Sequence, residues 1–209
     1  MNKNLLIVFI RNPVHGLVKT RLAEETGSKV ALAIYNELLS AVFRNAIPVK
    51  SDKALYFSDE IDETIDPGVF FEPQIQKGIG LGERMSNAFM ESFSKGYERT
   101  VLIGSDCFEL TPEVINKAFE SLRNSDCVIG PATDGGYYLI GLRRAIPELF
   151  LGITWGSSEV LNQTIHIMDH RAISYSMIDA LNDVDRLEDV MKYSKLKRFL
   201  YDKHNNTNP

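Results

Sequence analysis

Apolar residues along the 209-residue chain fall into two alternating patterns: continuous runs of strand length and longer stretches of helical period. Leu5–Ile10 is a continuous run rich in β-branched residues, as expected of a strand covered on both faces. Helical spacing follows from about Ser28 to Asn45, with Val30, Ile34, Leu38, Ala41 and Val42 on one face. Ala54–Phe57 and Val69–Phe71 read as short strands, and Leu81, Met85, Ala88, Phe89 and Phe93 mark a second amphipathic helix. Thr100–Gly104 is a strand, and Thr111 and Pro112 supply the cap and first turn of the next helix. Cys127–Gly130 and Tyr137–Leu142 are two strands close in sequence. Ser157 caps a helix running to about Asp169, Ile173–Met177 is a strand, and a last helix spans Arg186 to about Tyr201.

This alternation predicts one α/β domain over residues 1–203, with a Rossmann-like mixed, mostly parallel sheet flanked by helices. The polar end, 204–209, is expected to fray. Such sheets bind ligands beyond the carboxyl ends of their strands, so the loops that follow strands are where chemistry belongs.

Composition removes several classes of function. With 23 Lys+Arg against 28 Asp+Glu the net charge is −5, which disfavours a nucleic-acid partner. At 44% hydrophobic and 24% charged residues the chain is globular rather than disordered. Cys107 and Cys127 make no disulfide framework and read as buried thiols of a cytosolic protein. The first apolar run meets Arg11 and Pro13 too soon for a signal peptide or a membrane span, and no membrane partner is expected.

Against that acidic background, the loop after the first strand holds Arg11, Lys19 and Arg21, with Gly16 among them. Arginine pairs phosphate oxygens bidentately and lysine supplies a point charge, so a di- or triphosphate suits this loop. A solvated basic loop is the plainer reading, and a Walker A loop is excluded because Gly16 and Lys19 are not adjacent. Asp106 ends the strand that precedes it, where a carboxylate can hold Mg²⁺ or Mn²⁺ against phosphate oxygens or merely cap a turn. Asp134-Gly135-Gly136 can line a ligand crevice or form a simple hairpin turn. Asp183 and Asp185 face alike in an extended segment and can share one metal, or they cap the last helix. His166 and His170, four apart on a helix, lack the glutamate of a His-Glu-x-x-His site. Trp155 either stacks on a substrate ring or plugs the edge of the core.

The order of these segments carries more than any one of them. Phe9-Ile10-Arg11-x-Pro13-x-x-Gly16-x-x-Lys19-Thr20-Arg21-Leu22, Leu81-Gly82-Glu83-Arg84-Met85, Ile103-Gly104-Ser105-Asp106-Cys107, Gly130 to Leu139 and Trp155-Gly156-Ser157-Ser158 together resemble the bacterial DUF2064 family. That family, also called radical-SAM/selenodomain-associated transferase 1, belongs to the nucleotide-diphospho-sugar transferase (GT-A) superfamily. The resemblance implies a GT-A fold in which Arg11, Gly16, Lys19 and Arg21 meet nucleotide phosphates and Leu81, Gly82 and Arg84 lie near the base. It implies that Asp106 binds Mg²⁺ or Mn²⁺. Asp183-Val184-Asp185-Arg186-Leu187-Glu188-Asp189 is similar to the Asp-x-Asp-Thr-Pro-Glu-Asp segment of related nucleotidyltransferases, with Arg186-Leu187 replacing Thr-Pro. Phe108-Glu109 and Ile79-Gly80 depart from the family's Pro-Asp and Gly-Asp, at positions that touch substrate choice.

The expected activity is metal-dependent transfer from a nucleotide-activated donor, a sugar nucleotide first, to a small-molecule acceptor. Asp134 is the expected base, with Thr133, Gly135, Gly136, Tyr137, Trp155 and Ser157 on the acceptor side. The alternatives are a nucleotidyltransferase similar to the 2-phospholactate or phosphoenolpyruvate guanylyltransferases, and a nucleotide-binding module without catalysis. Donor base, sugar, acceptor and oligomeric state stay open at this level.

Overall fold

The computed structural model describes residues 2–201, so the tail at 204–209 lies outside the described residues. Its strands are β1 (Asn4–Ile10), β2 (Asp52–Phe57), β3 (Phe71–Ile75), β4 (Arg99–Ile103), β5 (Cys127–Pro131), β6 (Tyr137–Leu142) and β7 (Tyr175–Met177). They form one sheet in the order β3-β2-β1-β4-β6-β5-β7. β1 pairs in parallel with β2 and β4, β2 with β3, and β5 with β7. β6 runs antiparallel between β4 and β5, which makes the sheet mixed but mostly parallel.

β1 is buried on both faces, as its unbroken apolar run requires. Leu6, Val8 and Ile10 join one core with Tyr35, Leu39 and Val42 of helix α2 (Ser28–Ala46) and Ile115, Ala118 and Phe119 of α4 (Pro112–Ser121). Leu5, Ile7 and Phe9 join the opposite core with Met85, Ala88 and Phe89 of α3 (Leu81–Ser94) and Met168 of α5 (Val160–His170). Burying a side chain such as Phe89 contributes about 1.5–3 kcal/mol, so these two layers hold the sheet rigid beneath its loops. A third cluster packs Leu22 of α1 (Thr20–Thr26) and Ile34 and Leu38 of α2 with Val184, Val190 of α6 (Leu187–Val190) and Leu196 of α7 (Ser194–Tyr201).

Several elements differ from the sequence reading. The strand expected at Val69–Phe71 begins where that reading ends: Val69 and Phe70 are exposed, and β3 runs on through Glu72, Pro73 and Gln74. Pro73 is tolerated because β3 is an edge strand paired only with β2. The expected single C-terminal helix is two, α6 and α7, separated at 191–193, where Tyr193 turns to pack its ring against Phe108. Helix α5 starts at Val160 rather than at Ser157, whose hydroxyl donates to the Thr154 carbonyl at 2.7 Å instead of capping the helix. Helix α1 and the 3-10 turn at Pro147–Phe150 are additional.

Candidate active site

The carboxyl ends of β1, β2, β4 and β5 open onto one crevice, because these strands all point the same way. Their loops are tied to one another before any ligand arrives. Tyr35 accepts a hydrogen bond from the Arg11 amide at 2.9 Å, donates to the Arg11 carbonyl at 2.9 Å, and lies 3.3 Å from Ser105 Oγ. Burial and the nearby Asp106 charge push its hydroxyl up to about 12, so it stays a protonated strut between the β1 and β4 loops. Asn12, buried, donates to the Glu60 carbonyl and accepts from Ser58 and the Asp59 amide, which binds the β1 loop to that of β2.

The phosphate-side cations sit differently from one another. Arg11 is exposed at the end of β1, and Gly16 takes a left-handed backbone (φ +78°) in the loop that follows. Lys19 turns inward at the start of α1. Its Nζ lies 2.7 Å from Asp106 Oδ1 and 2.9 Å from Asp185 Oδ1, with only 4% of the side chain exposed. Burial alone would lower its pKa, but the two aspartates outweigh that and hold the ammonium above its ordinary value. Arg21 stays largely exposed, 3.6 Å from Asp185 Oδ2.

The aspartates come together through a strand-like segment laid across the ends of the sheet. Leu181 bridges to Ala132 and Asp183 to Cys107, and the Val184 amide donates to the Asp106 carbonyl at 2.9 Å. Capping of α6 falls to Asp189, whose carboxylate accepts from the amides of Asp185 and Arg186. Asp183 and Asp185 are thereby left to the crevice. Burial and then Asp106 push the Asp183 carboxyl up to about 7, with Asp134 and Asp185 adding to the effect and Lys19 opposing it. Its Oδ1 is sealed from solvent and has no hydrogen-bond partner. Among the described residues no three His, Cys, Asp or Glu side chains converge as a ready metal site. The Lys19 ammonium takes the place between Asp106 and Asp185. His166 and His170 lie with ring centroids 4.2 Å apart, tilted at 43°, and no third ligand joins them among the described residues.

On the acceptor side, Asp134-Gly135-Gly136 is a hairpin turn between β5 and β6, with Asp134 Oδ1 accepting from the Gly136 amide at 2.9 Å. The turn abuts the segment that carries Asp183, since the Thr133 amide donates to the Leu181 carbonyl at 3.1 Å. Thr133 donates to Asn182 Oδ1 at 2.9 Å. Asn182 in turn donates from its amide and its side chain to Glu109. Glu109, one of the departures from the family pattern, therefore anchors the segment that carries Asp183.

Trp155, Tyr137 and Gly82 belong together, but as packing. Tyr137 and Trp155 meet edge to face at 6.3 Å, and a Cβ on Gly82 would lie 2.5 Å from Trp155 Nε1. Trp155 thus packs over the start of α3 and against Tyr137 of β6. Arg84 spends its guanidinium on the carbonyls of Gly78 and Ser58, bracing the loops of β2 and β3, while Leu81 lies half exposed at the crevice rim. The sequence reading gives no role to Tyr35, Asn12 or Asn182 and takes Glu109 only as a departure that touches substrate choice, because their roles are contacts between distant loops. Only Asn12, directly after a strand, carried a positional hint.

Two cavities among the described residues lie elsewhere. One of ≈ 250 Å³ is lined by Glu25, Val30 and Leu187, and one of ≈ 390 Å³ by Leu151, Asn162 and His166. The crevice itself is an open groove of charged residues.

An open, mostly parallel sheet with one antiparallel strand and flanking helices is the architecture of the nucleotide-diphospho-sugar transferases. Within that class the chain belongs to DUF2064, a family described as an uncharacterized protein conserved in bacteria, whose model matches residues 41–157. It is similar to a crystal structure from Desulfovibrio desulfuricans G20 that carries the provisional description of nucleotide-diphospho-sugar transferase. The two share 30% identity over 97% of this chain and 96% of that one, with a TM-score of 0.89. The fold is also that of 4-diphosphocytidyl-2C-methyl-D-erythritol synthase from Anaerococcus prevotii, at 12% identity over 95% and 97% of the chains and a TM-score of 0.60. A nucleotidyl transferase from Methanothermobacter shares it at 12% identity, 97% and 100% coverage and a TM-score of 0.62. No curated protein matches in sequence. No helix among the described residues is long and apolar enough to cross a membrane.

Proposed function

We propose that this protein is a cytosolic, metal-dependent transferase that moves a sugar from a nucleotide-activated donor to a hydroxyl-bearing small molecule. The observation that carries this reading is the pairing of Lys19 with Asp106 and Asp185 and of Arg21 with Asp185, on the segment that also bridges Asp183 to Cys107 beside the tip of β4. The partnerless, sealed Oδ1 of Asp183 suits a hard divalent cation, which oxygen ligands prefer. Asp106, Asp183 and Asp185 would hold Mg²⁺ or Mn²⁺ there, and the ion when bound neutralises charge on the donor diphosphate. Lys19, Arg21 and Arg11 share the charge that develops on the leaving group. The acceptor oxygen attacks the donor sugar's anomeric carbon, the bond from that carbon to the diphosphate oxygen breaks, and the acceptor proton passes to the Asp134 carboxylate. The nucleoside diphosphate leaves.

The nucleotidyl transferase from Methanothermobacter that shares the fold motivates a second reading, nucleotidyl transfer to a small phosphorylated acid with release of pyrophosphate. Such an acceptor needs cations beside the Asp134 turn. Arg143 and Arg144 follow the far end of β6, where both pair with Asp126, and residues 133–137 contain none. That favours the sugar. Product analysis with a sugar-nucleotide panel, and separately with NTPs plus phosphorylated acids, decides between them. Nucleoside diphosphate release supports the proposal, and pyrophosphate with an NMP-bearing product overturns it.

Arg21 offers a direct check on the phosphate side. Arg21→Ala removes an exposed charge, so the melting temperature should barely move. Calorimetric affinity for the donor identified by that panel should fall by about 1.5–3 kcal/mol, the value of a charge-assisted contact. Unchanged affinity would make Arg21 a solvated surface residue.

A further inference from the structure

Lys19 occupies an unfavourable backbone state to reach its partners. Its φ of 48° and ψ of 48° are left-handed, which Cβ disfavours in any residue but glycine. Among the described residues only Ala172 shares a positive φ outside glycine. Residues held in such conformations persist where surrounding contacts over-determine them, and they cluster at sites that switch. Here the contacts are Asp106 Oδ1 at 2.7 Å and Asp185 Oδ1 at 2.9 Å.

These are two of the carboxylates assigned above to a divalent cation, and the inference rests on that assignment. Such a cation bonds oxygen at about 2.1 Å. Bonded to the oxygens that Lys19 now holds, it would lie no farther than about 5 Å from Nζ, with both ions competing for the same lone pairs. The geometry points to Lys19 as a tethered competitor of the metal. Its ammonium bridges Asp106 and Asp185 in the nucleotide-free protein and leaves them when the divalent cation enters. It then turns to the incoming phosphates, a short move from the mouth of the same crevice. Asp183 Oδ1, buried and partnerless near the bridged pair, is an oxygen that the lysine does not take and that a bound cation could use. The consequence is coupling: the site holds metal weakly alone and firmly with a polyphosphate that draws the lysine away.

The test is Mn²⁺ binding in the absence of nucleotide, followed by electron paramagnetic resonance of the free ion, on wild type and Lys19→Met. The variant should bind Mn²⁺ more tightly, by about tenfold or more. Lys19→Gln is the substitute if Lys19→Met does not fold. Equal or weaker Mn²⁺ affinity in the variant overturns the competitor role while leaving the metal site standing. Absence of Mn²⁺ binding in both proteins overturns the metal assignment itself, and the competitor role with it.

Discussion

Asp183→Asn should stabilise the metal-free protein at pH 8 and leave it nearly unchanged at pH 4. The Asp183 carboxyl is raised in the folded state from 3.8 to about 7, so the folded protein binds this proton more tightly than the unfolded chain. Its stabilising contribution is complete below pH 4 and is lost as pH rises through about 7. Above that, the folded protein carries a desolvated carboxylate beside Asp106. The asparagine removes that charge and keeps the shape, for a gain of about 2–4 kcal/mol. In a domain of this size that is a rise in melting temperature of roughly 5–10 °C. Melts of both proteins in EDTA at the two pH values check it. A difference independent of pH would show that Asp183 is not the titrating group.

Gly135→Ala should be the most damaging change at the acceptor turn. A Cβ there would lie 2.1 Å from the Ser158 carbonyl oxygen, and the backbone is left-handed at φ +93°. None of the three nearest atoms belongs to a side chain that can swing aside, because all are Ser158 backbone. The turn must lift away from the start of α5, breaking the bond from the Leu161 amide to the Gly135 carbonyl at 2.9 Å. We expect a loss of about 3 kcal/mol by denaturant titration, and loss of hydrogen-exchange protection at Leu161. Gly16→Ala is the control. That site has a similar left-handed backbone but nothing within 4 Å, so its cost should be only about 1–2 kcal/mol. Equal losses at the two sites would refute the close-contact explanation.

The contrast between what the sequence disclosed and what it withheld follows from the range of the interactions. β1 and α2 are legible because their apolar periods coincide with burial on both faces of a sheet and on one face of a helix. β3 was displaced because Val69 and Phe70 are apolar yet exposed, whereas the true strand reads Phe-Glu-Pro-Gln-Ile and is stabilised only by its pairing with β2. Helix α1 was invisible: it is seven residues long, buries only Leu22 and Thr26, and begins at a lysine in a left-handed conformation. At the site, Asp106 was legible as a residue at a strand tip. The partnership of Lys19 with Asp185 spans 166 positions and is made by the bridge of Asp183 to Cys107, which no local pattern records. Trp155 and Tyr137 look like substrate contacts in a loop and at a strand end. Only the fit of Trp155 over Gly82 shows that they pack against the core.

The proposed function requires nucleoside diphosphates to bind at the strand tips through a divalent cation held by Asp106. Calorimetry with a panel of nucleoside diphosphates, on wild type and Asp106→Asn, in Mn²⁺ and in EDTA, tests it most directly. For the diphosphate that binds, we predict wild-type affinity at least about tenfold higher in Mn²⁺ than in EDTA. Asp106→Asn should show the same weak affinity in both and still fold, because Asp185 continues to pair with the buried Lys19. Equal wild-type affinity in Mn²⁺ and EDTA would contradict the account.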